Sequence, residues 1–325
     1  MKTNEIIYQH VYQNTVEGVL LFYDNSDRIV FFTILSVLSE RYGIRIIAVS
    51  LMPDHYHLLV EANGRKQLEN FIRTLNSVYA KAFNLTVHRK GKLFNRKYGC
   101  ASKKTTKEII SAINYILNNP LVTLLDSKVE SSRWNYLPYA LGNNPFSDVM
   151  VPGKTRKQLM SAMKYVVTRR DDNRWLTYAM LKKLRYNLNA TEAKQLEDYI
   201  ISSYYRIDYQ ASAKFYGTME KMIEAANYNS GSEYGISEPF ETKDDNIYRD
   251  IANDLRQKYA YDDIKAIFSL GLEQRIALGM ELQNVFICKS RQIEKYLQLK
   301  DGTLYQKYDR VVRVKSHSRH LAIIT

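Results

Sequence analysis

The first 120 residues of this chain switch repeatedly between two hydrophobic periods, and that alternation restricts the fold more than any other feature of its 325 residues. A period of two marks a half-buried strand, and a period of 3.6 marks an amphipathic helix. Ile6 to Thr15 reads as a strand. Asp24-Asn25-Ser26-Asp27 is a turn able to cap the helix that follows, in which Ile29, Phe32, Leu35 and Leu38 recur before Gly43 closes it. Arg45 to Leu51 and His55 to Glu61 are two β-rich runs hinged at Met52-Pro53-Asp54. Gln67 to Phe83 returns to helical spacing. A basic turn, His88-Arg89-Lys90-Gly91-Lys92, then separates the Asn84-Leu85-Thr86-Val87 run from Leu93 to Ala101 in what reads as a hairpin. Thr105 or Thr106 can cap one more helix, stopped by Pro120. The order β-α-β-β-α-β-α predicts an α+β fold, a ferredoxin-like antiparallel sheet with helices.

Residues 121–156 read as a looser connection, punctuated by Gly142-Asn143-Asn144-Pro145 and Pro152-Gly153. Beyond it the pattern is helical over 157–168, 174–187, 191–206, 210–227, 245–259 and 261–300, with a linker at Asn229 to Asp245. Two domains are expected, 1–150 around the sheet and an all-helical accessory domain over 151–325. Within the latter, 272–299 reads either as a DNA-binding helix-turn-helix, with Ser290 as cap and Arg291, Gln292 and Lys295 exposed, or as two packed helices. The stripe Trp175, Tyr178, Leu181 and Leu184 is expected in the core. The tail Lys307 to Arg319, with Arg310, Arg313 and Lys315, either touches DNA or is solvated.

Composition removes several classes. With 45% hydrophobic residues, 13 Gly and 6 Pro, the chain is neither disordered nor collagen-like. Its two cysteines, Cys100 and Cys288, cannot build a disulfide scaffold and suit a reducing compartment. The longest apolar stretch, Ile29 to Leu38, is half the length of a membrane span and reads as an amphipathic helix. No secretory signal pattern opens the sequence, so a cytoplasmic location is expected. Charge points the other way, toward a partner: the net charge is +13 and the pI about 9.4, values typical of chains that meet nucleic acid. Between Arg65 and Lys107 twelve basic residues face a single acid, Glu69.

The most informative local motif is Pro53-Asp54-His55-Tyr56-His57-Leu58-Leu59-Val60-Glu61. Residues two apart on a strand share a face, so His55 and His57 present two imidazoles side by side while Tyr56, Leu58 and Val60 point to the other face. Such a pair chelates a metal. Glu61 shares the face but stands about 13 Å from His57 along a strand, too far to share one ion. The histidines His10, His88, His317 and His320 show no ligand spacing with the pair. A third ligand must therefore come from elsewhere. Tyr115 and Asn119, one helical turn apart on a single face, are candidates for the same neighbourhood.

Taken in order, Pro53 to Val60, then Gly91-Lys92-Leu93-Phe94-Asn95-Arg96-Lys97-Tyr98, then Tyr115-Ile116-Leu117-Asn118-Asn119-Pro120 resemble the single-tyrosine HUH transposases. That family includes small insertion-sequence transposases and REP-associated tyrosine transposases. The resemblance covers about residues 5–145, including Ser132-Arg133-Trp134-Asn135-Tyr136. It departs at Asn14-Thr15, where many members carry a basic residue, and at Asn95, where Gln is more usual.

The resemblance implies an HUH endonuclease fold and a DNA transposase that cleaves and rejoins single strands through a 5′-phosphotyrosine. Tyr115 would be the nucleophile, and His55, His57 and Asn119 would hold Mg²⁺ or Mn²⁺. Arg89, Lys90, Lys92, Arg96, Lys97, Lys103 and Lys104 would track the phosphates of single-stranded DNA folded into hairpins at palindromic ends. The rival readings are a catalytically silent or domesticated DNA-binding regulator, a replication-type nicking enzyme of the same fold, and a zinc hydrolase. Monomer and homodimer both remain open, as does use of Tyr115 within or between subunits. No membrane partner is expected.

Overall fold

In the computed structural model, residues 6–16, 18–95, 97–150, 155–228, 244–259 and 264–304 are described. Strand β1 (Ile6–Asn14) leads into helix α1 (Asn25–Tyr42), then β2 (Arg45–Leu51), β3 (His55–Asn63), α2 (Arg65–Thr86), β4 (Gly99–Lys103) and α3 (Thr106–Val122). The sheet order is β2-β3-β1-β4 with every neighbouring pair antiparallel, the ferredoxin-like arrangement that the element order predicts. Asp24 caps α1 in a reciprocal box with Asp27, and Gly43 ends it in the left-handed region at φ 61°. Thr105 and Glu108 form the same box on α3. That helix passes Pro120 and ends at Val122, two residues later than the proline suggests.

The pleat sorts side chains between two layers. Tyr56 points to the layer of α1 and α2, where its ring packs 5.0 Å from Phe31 and its hydroxyl donates to Asn76 Oδ1. The opposite face, with His55 and His57, lies under α3. The expected basic hairpin is not one. Helix α2 continues through Asn84, Leu85 and Thr86, because their positions still satisfy its ladder, and the basic turn joins a helix end to the extended run before β4.

The second half wraps the first. A short helix α4 (Pro138–Leu141) follows two single 3-10 turns, and then come α5 (Lys157–Asp171), α6 (Tyr178–Arg185), α7 (Ala190–Tyr204), α8 (Tyr209–Lys214) and α9 (Met219–Asn227). The expected helix over 210–227 breaks at Gly217, whose φ of 88° interrupts it. Helices α6 and α7 cover the outer side of α1, which explains a departure from the sequence reading: α1 is not amphipathic but buried on all sides from Ile29 to Ser39. Helix α9 packs on α3, and α8 on β2. Ile46 and Ile207 form a parallel bridge, Asp208 N–H donates to the Ile46 carbonyl at 2.8 Å, and Ser212 donates to the Ile47 carbonyl at 2.6 Å. The buried apolar residues form one continuous core running from the sheet through these helices.

The third segment holds α10 (Asn246–Tyr259), a 3-10 turn over Ile264–Ser269, α11 (Leu272–Val285) and α12 (Ser290–Tyr296), so the expected helix over 261–300 is three pieces. In α12 the side chains of Ile293, Glu294 and Tyr296 are buried, and Lys295 is ion-paired to Asp54 rather than exposed as expected. Leu181 lies in the core, with Trp175, Tyr178 and Leu184 packed against it. Most of the expected linker and all of the tail from Lys307 to Arg319 lie outside the described residues. Among the described residues, no helix is long and apolar enough to cross a membrane.

Asp198 ties the connection to the helices. Its fully buried carboxylate accepts from Arg133 at 3.2 Å, from Tyr139 at 2.7 Å, and from Phe146 N–H and Ser147 at 2.9 Å each. Removing one partner of a buried ion pair leaves the other charge stranded. Asp198→Ala is therefore expected to lower unfolding free energy by about 3–5 kcal/mol, read from urea denaturation.

Candidate active site

Register brings the site together. Antiparallel pairing sets Tyr12 opposite His57 and Asn14 opposite His55, and His10 lies one pleat period from Tyr12 on the same face. The rings of His55 and His57 are 4.9 Å apart, as the two-residue spacing on β3 predicts. His57 is completely buried, and His10, also completely buried, meets it through a 3.1 Å hydrogen bond between His10 Nε2 and His57 Nδ1. Sequence reading passed over His10 because it has no ligand spacing with the motif. Its signal was membership of the neighbouring strand, and only the register converts that into contact.

Tyr115 stands on α3 over this pair, half-buried, with its ring 5.4 Å from that of His57 and 5.7 Å from that of His10. Tyr12 closes another side, 6.1 Å from His57. The Tyr12 ring lies against β4 at Gly99, where a Cβ would come within 1.9 Å of it, so the bare glycine is what admits the ring. Asn119 follows one turn after Tyr115, nearly buried, with Nδ2 donating to the Tyr115 carbonyl at 3.1 Å. That hydrogen bond employs the amide nitrogen, so the oxygen is the atom of Asn119 suited to a cation. Glu61 is engaged elsewhere, accepting from Tyr8 at 2.6 Å and pairing with Arg45 at 3.1 Å.

The two histidines are oriented alike. His55 Nδ1 is 2.6 Å from Asp54 Oδ1, and His57 Nδ1 faces His10. Burial, followed by the nearby Lys103 charge, holds His10 well below the usual histidine range, so it is neutral and its Nε2 can accept the His57 Nδ1 proton. Burial alone would raise the Asp54 carboxyl, but His55 and then Lys295 hold it well below the usual carboxylate range. Both imidazoles thus have a hydrogen-bond partner at Nδ1; with that partner accepting, the arrangement is the one by which proteins present Nε2 to a metal. Among the described residues no three His, Cys, Asp or Glu side chains are grouped to hold an ion, so the zinc-hydrolase ligand set has no candidate there. Two imidazoles and one amide oxygen instead suit a divalent ion that keeps water or phosphate ligands.

The expected phosphate-tracking residues divide. Lys90, Lys92, Lys97 and Lys104 are exposed, and Arg89 is half-buried, donating to Asn84 Oδ1 at 3.2 Å. Lys103 does not belong to this surface: it is 3% exposed, because its place on β4 turns it under α3 beside His10. Arg96 lies outside the described residues.

His10→Leu removes the acceptor of His57 Nδ1 within a dry layer. It is expected to cost about 1–3 kcal/mol in urea denaturation, and to shift the ring-nitrogen NMR signals of His57, whereas Phe268→Leu, remote from the pair, leaves those signals in place.

The family described as "Transposase IS200 like" matches residues 7–119, a segment that contains both histidines, Tyr115 and Asn119. No curated protein matches the chain. A solved structure of a REP-associated tyrosine transposase bound to a REP hairpin is similar over 48% of this chain and 93% of its own, at 13% identity and a TM-score of 0.36. Over residues 7–119, about a third of the chain, the sequence is similar to the IS200-like transposase family.

Proposed function

We propose that this chain is a metal-dependent transposase that cuts and rejoins single-stranded DNA through Tyr115. The observation that carries the reading is the placement of Tyr115 against His57, edge-on, and His10, tilted, within one chain, at ring distances of 5.4 and 5.7 Å. A phenol with a pKa near 10 is a weak nucleophile at neutral pH. His55, His57 and Asn119 would hold a divalent ion, which would supply a Lewis acid for a non-bridging phosphate oxygen. The Tyr115 oxygen attacks phosphorus in line, the phenolic proton is released, and the bond to the 3′ oxygen breaks. A 5′-phosphotyrosine and a 3′-hydroxyl result. Because the ester persists on the enzyme, another 3′-hydroxyl can reverse the step and rejoin DNA. The proximity within one chain supports use of Tyr115 in its own subunit.

The exposed lysines between α2 and α3 supply the electrostatic surface for the strand, and hairpin DNA at palindromic ends is the substrate that the family motifs favour. Residues 1–150 form the catalytic part in this reading, 151–325 an accessory part, and the chain acts in the cytoplasm. Mn²⁺ is expected to act at lower concentration than Mg²⁺, since imidazole donors favour the softer ion.

Incubated with hairpin-bearing single-stranded DNA and Mn²⁺, the protein is expected to form a denaturation-resistant adduct that chelation prevents. Tyr115→Phe should retain DNA binding and lose the adduct. An adduct of undiminished yield in that variant rejects Tyr115 as nucleophile, and DNA binding without any adduct in the unaltered protein favours the silent regulator. Replacing Lys90, Lys92 and Lys97 together by Gln is expected to flatten the slope of log affinity against log salt by about 2 to 3, measured by fluorescence anisotropy.

A further inference from the structure

Two lysines reach from the block of residues 264–304 to carboxylates of the first 60 residues. Lys265 Nζ lies 2.8 Å from Asp24 Oδ2 and 3.1 Å from Asp27 Oδ1, at the start of α1. Lys295, on α12, pairs with Asp54 Oδ2. The block is otherwise seated by apolar contact: the Tyr23 ring packs 4.8 Å from Phe268 and 5.5 Å from Tyr296, and a Cβ at Gly18 would come 2.6 Å from the Leu299 carbonyl oxygen. The Pro53-Asp54 turn is held from the other side, where Leu21 and Phe22 N–H groups donate to the Pro53 carbonyl at 2.7 and 3.0 Å.

Asp54 therefore divides its oxygens. Oδ1 meets His55 Nδ1 at 2.6 Å and Oδ2 meets Lys295, with the two charged side chains 15% and 22% exposed. A carboxylate held at both oxygens has one orientation. Held at only one, it turns about its own axis and the ring it steers turns with it. We propose that Lys295 is a positioning residue for His55, acting through Asp54, so that the ion affinity of the site depends on the Lys295–Asp54 contact that α12 supplies. This rests on His55 being a metal ligand, and it makes a part of the chain outside the matched family segment a determinant of the site.

Sign separates this role from simple charge. Removing a cation near a cation site relieves repulsion and would tighten ion binding; loss of positioning weakens it. Mn²⁺ titrations of the full chain, followed by calorimetry and by the EPR spectrum of bound Mn²⁺, read the difference. Lys295→Met is expected to weaken Mn²⁺ binding roughly 10-fold, the lower end for loss of an outer-shell partner, and Lys295→Arg to restore most of it. Adding Lys295→Met to Asp54→Asn should change Mn²⁺ affinity no further, because the two act in series. Lys265→Met, which cuts the other anchor of the block, should lower the melting temperature and leave Mn²⁺ affinity unchanged. Unchanged or tighter Mn²⁺ binding by Lys295→Met overturns the inference and leaves the reading of the site intact. Mn²⁺ affinity unaltered in His55→Ala overturns both. Should Lys295→Met not fold, Lys295→Gln is measured in its place with the same outcomes.

Discussion

The antiparallel pairing of β1 with β3 is the constraint on which the rest of the site depends. A strand supplies only the two-residue repeat that aligns His55 and His57. The register adds Tyr12 across from His57 and His10 beside it. A slip of one residue would turn His10 and Tyr12 to the layer of α1 and α2, and would bring Val11 and Gln13 in their place. The register is secured on that other layer: Val11 is fully buried, and Gln13 accepts from Asn76 on α2 at 3.1 Å. Packing on one face of the sheet thereby protects the chemistry on the other.

The electrostatics of the site follow from the same geometry. His10 is kept neutral by burial and by Lys103, and that neutrality lets it orient His57 rather than repel a cation. Asp54, ionised and matched by Lys295, does the corresponding work for His55 with a charged acceptor. The two imidazoles are thus held by unlike partners, one neutral and deep, the other charged and paired to a helix from the C-terminal part of the chain. An amide from Asn119 adds no charge, so an ion bound there keeps most of its field for a phosphate.

The helical half is part of the architecture around the sheet rather than an appendage beside it. Helices α6 and α7 bury the outer side of α1, the Ile207–Asp208 segment before α8 extends the β2 edge by a backbone hydrogen bond, and α9 backs α3, where Asn118 donates to the Ala226 carbonyl at 2.7 Å. Since α3 carries Tyr115 and Asn119, α9 backs the element that presents the proposed nucleophile. The basic residues left outside this packing, Lys90, Lys92, Lys97 and Lys104, are exposed between the end of α2 and the start of α3.

By itself the amino-acid sequence determined the element order, the capping of α1 within the Asp24-Asn25-Ser26-Asp27 turn and of α3 at Thr105 or Thr106, the shared face of His55 and His57, and the one-turn spacing of Tyr115 and Asn119. Each of these is local, set by side-chain periodicity or by hydrogen bonds within a few residues. Tertiary structure alone decided the rest. It buried α1 on every side, turned Lys103 inward, split the 210–227 helix at Gly217, and brought His10 and Lys295 to residues 47 and 241 positions away. Contacts at such separations depend on strand register and on how helices dock, which no local pattern encodes: the free energy that selects them comes from burying many side chains at once.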